Sequence, residues 1–125
     1  MNTILWIVQG LLALIFLSAG SIKLSKPKNV LREKLGDWVD QYTDLSIKLI
    51  GLVELLGALG LILPMAINAL PILTPLAAIG LAMTMAGAMK VHLQRNEKSK
   101  VITNIILMTL ALVVGIGRLY FILFS

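Results

Sequence analysis

Apolar residues in this chain gather into four long runs separated by short polar or basic segments. Each run comes close to the roughly 20 residues needed to cross a hydrocarbon core about 30 Å thick. The pattern predicts membrane-spanning helices over 4–22, 45–63, 75–91 and 101–124, and short connections between such helices give an up-and-down bundle. Ser18-Ala19-Gly20 has the small residues of a signal-peptide cleavage site, but the first basic residue, Lys23, follows the apolar run. A secretory signal carries its basic segment first, so an uncleaved span is expected.

Between the first two spans the period changes. Leu31, Leu35, Trp38, Tyr42 and Leu45 recur at three- and four-residue steps, while Arg32, Lys34, Asp37 and Asp40 fall elsewhere. With Ser25 as a cap and Pro27 in the first turn, an amphipathic helix over 26–43 is expected to lie in the membrane interface, its aromatics at headgroup depth. It is either a strap joining two spans or a docking surface for a partner. Pro64 is expected to stop the second span. Thr74-Pro75 reads as the cap and first turn of the third, after an apolar loop that folds back on the bundle mouth. The fold class is therefore all-α: a polytopic membrane protein, a four-transmembrane-helix up-and-down bundle with an amphipathic interfacial helix between helices 1 and 2, in one domain over 1–125.

Composition agrees. Hydrophobic residues make up 58% and charged residues 14%, far from the balance of a soluble domain. Without cysteine there is no disulfide, thiol relay, iron–sulfur cluster or thiolate metal site. One histidine cannot offer two imidazoles to a haem, and no metal-ligand spacing, phosphate loop or nucleophile triad is present. The net charge of +5 is concentrated in two connections, one holding Lys23, Lys26, Lys28, Arg32 and Lys34, the other Lys90, Arg95, Lys98 and Lys100. The positive-inside rule places both in the cytoplasm and both termini outside, most simply in a bacterial cytoplasmic membrane. Lipid, and not nucleic acid, accounts for the basic balance.

In lipid, helices meet through small and polar residues. The expected interior stripes are Gln9, Ala13, Gly20 and Lys23; Gly51, Glu54, Gly57, Ala58 and Leu61; Ala77, Gly80, Thr84, Gly87 and Ala88; and Asn104, Met108, Ala111, Gly115 and Arg118. The remaining methionines read as packing. Glu54 stands out, because an acid at a helix centre costs about 2.5–3.5 kcal/mol on insertion scales. Thr84 and Asn104 reach similar depth, and Lys23 can extend its side chain toward it. Glu54 is either half of a structural pair or a protonated, hydrogen-bonded acid that fixes packing, or else a proton, cation or headgroup site. Arg118 lies about 18 Å further out along a helix rising 1.5 Å per residue. That leaves Gln9 as its neighbour, and it either reaches the outer headgroups or contacts an anion or a quinone oxygen. His92, at the cytoplasmic end of span three, is expected to meet helix-end carbonyls or headgroups, with proton exchange with Glu54 as the alternative.

Taken in order, these residues resemble the DoxX-like family of small four-helix membrane proteins. The features are Ser18-Ala19-Gly20-Ser21-Ile22-Lys23-Leu24, Gly51-x-x-Glu54-x-x-Gly57-Ala58-x-Gly60-Leu61-x-x-Pro64, Thr74-Pro75-Leu76-Ala77-Ala78, His92-Leu93-x-Arg95-x-Glu97 and Arg118. The resemblance implies a membrane four-helix bundle. It points to Lys23, Glu54, His92 and Arg118 as the positions to test. The family takes its name from a subunit linked to a thiosulfate–quinone oxidoreductase, and some eukaryotic relatives assist the assembly of other membrane proteins. A non-enzymatic accessory or assembly module is thus the expected function, with a membrane-protein partner or a second copy of the chain and no cofactor. The alternative is a quinone-linked accessory subunit, its redox chemistry supplied by a partner or a borrowed quinone. A proton-coupled transporter of the small multidrug type fits less well, because its acid lies in span one and its antiparallel dimers need a weak charge bias.

Overall fold

The computed structural model describes residues 2–124, which form five α-helices and a short 3₁₀ turn, with no strand among the described residues. Four helices are long and apolar: α1 Asn2–Ser25, α3 Asp44–Ala66, α4 Leu73–Gln94 and α5 Lys98–Phe124. The shortest has 22 residues and extends about 33 Å, enough to cross a bilayer core. All four begin before the apolar runs do, and the first three also end beyond them. Hydropathy marks only the stretch that avoids water, whereas the backbone ladder continues through the flanking polar residues.

Each long helix buries one stripe. In α1 it is Leu5, Gln9, Leu12, Phe16, Gly20 and Lys23; in α3 it is Ile47, Gly51, Glu54, Ala58, Leu61 and Pro64. Such steps of three and four residues keep one face against the neighbours. The two faces meet backbone to backbone at Gly20 and Gly51, where a Cβ on Gly20 would lie 2.6 Å from the Gly51 carbonyl oxygen. Side chains buried around Leu12, Phe16, Ala58, Leu61, Leu81 and Val114 form the central core. The stripe expected on the third span is corrected: α4 buries Ala78, Leu81, Ala82 and Met85, while a Cβ on Gly80 or Gly87 would meet nothing within 4 Å. Small residues cover several sides of α4, so smallness alone could not pick the inward one.

Pro64 does not end α3. It sits in the last turn, and the helix runs on to Ala66. A proline nitrogen cannot bond the carbonyl four residues back, that of Gly60. The Thr74 hydroxyl donates to this oxygen instead, at 2.9 Å. Thr74 therefore serves α3 and is not the cap of α4, which begins at Leu73.

The segment over 26–43 is not one helix. α2 spans Lys28–Leu35 with Pro27 as its cap, Gly36 breaks it at φ 114°, and the 3₁₀ turn follows over Asp37–Gln41. That φ is readily adopted only by glycine. Leu31, Val39 and Ile47 form a small second core with Leu35, Trp38 and Tyr42 against it, whereas Leu45, expected on the same face, is exposed. Two local contacts fix the junction. The Thr43 hydroxyl accepts the Ser46 N–H at 3.1 Å, capping α3, and Lys48 donates to the carbonyls of Lys23 and Lys26 at 2.7 and 2.6 Å. A cation at those carbonyls complements the terminus of α1.

Candidate functional site

The buried polar side chains fall into two clusters at different heights of the bundle. The inner one is built on Lys23, in the last turn of α1, and Glu54, in the middle of α3. Both lie on the stripes that pack around Gly20 and Gly51, and their side chains form a buried ion pair. Glu54 is 1% exposed and Lys23 9%, so the two ions pair away from bulk solvent. Removing either would strand a charge in a medium that solvates it poorly.

Cavities flank the pair on both sides. One, of about 280 Å³, is lined by Trp38, Tyr42, Ile50, Met83, Thr84 and His92 besides the pair. The other, of about 250 Å³, adds Ile15, Phe16, Leu35, Lys100, Asn104 and Leu107. Thr84 and Asn104 are thus brought to the pair's surroundings but do not bond to it. The Thr84 hydroxyl donates to Gly80 O in its own helix, and the Asn104 amide meets Met85 Sδ at 3.7 Å. Trp38 and Tyr42 were read only as interfacial aromatics. Their place on the cavity wall depends on the break at Gly36, which turns them back toward the bundle. Burial pushes the Tyr42 phenol above its ordinary pKa.

His92 does not face lipid headgroups. It is buried, with Nδ1 2.9 Å from Glu97 Oε1 and its ring edge-on to Trp38 at 5.5 Å. Arg95 bonds Glu97 at 3.0 Å and also pairs with Asp37, and Lys100 lies 3.4 Å from the second Glu97 oxygen. These contacts tie the 3₁₀ turn to the α4–α5 connection beside the cavity. The hydrogen bond to His92, with those to Arg95 and Lys100, holds the Glu97 carboxyl down to about 2. Arg95 and Glu97 were visible in the sequence as polar residues near His92, but their convergence needs the fold.

The outer cluster surrounds Arg118 of α5. Its guanidinium does not extend into the open: Arg118 is 2% exposed and held by side chains of α1. Nε donates to Gln9 Oε1 and Nη1 to Asn2 Oδ1, both at 2.5 Å, and the guanidinium lies 5.2 Å from the Trp6 ring centroid. Gln9 in turn donates to Leu61 O at 2.6 Å. The facing of Gln9 and Arg118 follows from their stripes. Asn2 and Trp6 carried no signal, because they only complete a shell around a cation whose burial was not readable. Among the described residues no three His, Asp or Glu side chains come together as a metal would require.

Against known proteins, a sequence model of the DoxX-like family matches residues 7–114. No curated protein and no solved structure matches the chain.

Proposed function

The chain belongs to the DoxX-like family, and from that premise we propose that it is a non-enzymatic accessory module, a bundle that seats against a transmembrane helix of another membrane protein and assembles or supports it. The outward face of α4 carries the reading. Gly80 and Gly87 lie seven residues apart on that face, and a Cβ at either would meet nothing within 4 Å. Glycine weakens a helix by about 1 kcal/mol relative to alanine. No packing contact within this chain requires it at either position, though Gly87 also lines the cavity beside Lys23 and Glu54. Small residues on a membrane helix let a second backbone approach closely. The adjoining groove between α3 and α4, about 440 Å³, is walled by Leu56, Gly57, Gly60, Leu76, Ala77 and Gly80 and has the shape to take such a helix.

In this reading the helices run up and down, with α2 and the 3₁₀ turn as an interfacial strap on the cytoplasmic side of a bacterial membrane. The support is that both basic connections meet through Arg95–Asp37 and Trp38–His92. A photo-crosslinker at Met83, which is exposed beside these glycines, is expected to capture one distinct membrane protein in native membranes, and one at Ile116 of α5 is not. Capture of a second copy of the chain at Met83 would replace the accessory role by self-assembly. Equal capture from both positions would remove the α4 face from the account.

The cavity beside Lys23 and Glu54 favours a second reading, the quinone-linked accessory. At about 280 Å³ it falls just short of the roughly 300–1,000 Å³ of ligand pockets, a fit for a head group and not a whole tailed molecule. Lys23 bonds one oxygen with a group that has three N–H donors, leaving donors for a quinone carbonyl. Bound quinone supplies two-electron redox chemistry, and these residues hold and orient its oxygen. The reading predicts quinone in gently extracted protein and its loss in Glu54→Gln. Unchanged retention in that variant would exclude the site.

A further inference from the structure

The Arg118 cluster has a feature that packing does not explain. Its guanidinium is buried with Nε and Nη1 bonded, yet Nη2 has no hydrogen-bond partner. Buried polar groups are almost always paired, and a bare N–H on a cation is the costliest exception. Nor, among the described residues, does the guanidinium meet a negative charge. Its neighbours are two amide oxygens and an indole ring, all neutral. The chain has six acidic residues. Glu54 is committed to Lys23, Glu97 to the α4–α5 connection, and Glu33, Asp37, Asp40 and Asp44 lie in the segment between α1 and α3 or at the start of α3.

The surroundings are ordered for a ligand. Gln9 cannot turn its carbonyl away, because its amide nitrogen is held by Leu61 O, so Nε stays fixed and the Nη1–Nη2 edge remains for another partner. Asn2 holds the Nη1 end of that edge. It is the exposed first described residue of α1, and turning its amide aside frees Nη1 beside the unpaired Nη2. Two parallel N–H groups on one guanidinium edge match two oxygens of an oxyanion. The guanidinium also lies level with the start of α1, the height at which a membrane helix meets the headgroups.

We propose that Arg118 is the centre of an oxyanion site that accepts two oxygens of a phosphate on its Nη1–Nη2 edge, with Asn2 as a displaceable cover and Trp6 stacked on the bound cation. The phosphate is either the phosphodiester of a lipid headgroup or free inorganic phosphate. The site does not rest on the accessory role. Nor does it come from the family match, which begins after Trp6 and ends before Arg118.

The test uses the full chain in nanodiscs of mixed phosphatidylcholine and phosphatidylglycerol, with native mass spectrometry counting phospholipid that survives removal of the annular shell. Trp6 emission is followed in a Trp38→Phe background. Wild type is expected to keep one phospholipid, Arg118→Gln to lose it by about tenfold or more, and Asn2→Ala to hold it more tightly, since its cover is gone. Asn2→Ala removes an exposed end residue, so it tests the site even if Arg118→Gln does not fold. Retention that withstands millimolar inorganic phosphate assigns the headgroup. Displacement by phosphate together with a shift in Trp6 emission assigns the free anion. Equal retention in wild type, Arg118→Gln and Asn2→Ala, with no response to phosphate, overturns the proposal and leaves Nη2 to water.

Discussion

Two buried cations, Lys23 and Arg118, face the same difficulty and meet it differently. Lys23 lies against a carboxylate, in a direct ion pair flanked by cavities. Arg118 lies among amide oxygens and a tryptophan face, with Nη2 left unpaired. The inner cluster is balanced in charge and has room beside it. The outer one is tightly enclosed and short of one negative group. An ion pair cancels its field within the fold, so open space next to it offers a ligand hydrogen-bonding groups and no net charge. A cation held by dipoles keeps its field and attracts anions. Different visitors are accordingly proposed: a neutral polar head at the inner cluster and an oxyanion at the outer.

The largest expected effect comes from unbalancing the inner pair. Glu54→Ala strands Lys23, and the loss should be about 3–5 kcal/mol of stability in a thermal or denaturant melt in detergent. The double variant Lys23→Met with Glu54→Leu should recover most of it, because an apolar pair of similar volume is often as stable as a buried ion pair. If the double variant is as damaged as the single one, the inner cluster is more than a charge-balanced pair. Next is Gln9→Leu, which removes the amide between Leu61 O and Arg118 Nε. Stranding the Arg118 Nε–H donor and the Leu61 carbonyl acceptor should cost about 1–3 kcal/mol in the same melt. A neutral result would mean that the outer cation is not held by its dipoles.

Smaller effects separate inward from outward glycines. Gly20→Ala places a Cβ against the α3 backbone and should cost about 1–3 kcal/mol. Gly87→Ala meets nothing and should be neutral or stabilising by up to about 1 kcal/mol through helix propensity. A large loss at Gly87 would contradict the assignment of that face. The smallest effect belongs to Glu97, whose carboxyl is lowered from 4.5 to about 2 by His92 and then Arg95 and Lys100. A depressed carboxylate adds stability above its unfolded pKa and loses it as pH falls through the folded one. The melting difference between wild type and Glu97→Gln should be steady above about pH 4.5 and disappear toward pH 2. A difference independent of pH would show that the carboxylate's charge does not matter.

Much of the inner cluster was legible because periodicity carries it. Lys23 and Glu54 stand on stripes whose angle and depth can be counted, and so do Gln9 and Arg118. The failures have separate causes. In α4, alanines and glycines surround the helix, so no count of small residues points inward. Gly36 lay in plain view, but its effect depends on Val39 and Leu31 closing a second core across the break. Pro64 follows a local rule that the distant Thr74 hydroxyl overrides. The burial of Arg118 and the return of Trp38 to the cavity depend on how five helices pack, which no single helix records. The unpaired Nη2 is the extreme case, because it can be seen only when every neighbour has been placed.

The most direct test of the accessory role is native mass spectrometry of the protein released gently from its own membrane, with wild type compared to a Gly80→Leu, Gly87→Leu variant. The account predicts a second membrane polypeptide in fixed stoichiometry on wild type, and its loss from the variant while helicity and melting stay unchanged. A bare chain in both cases, or a partner that the filled face does not release, would contradict it.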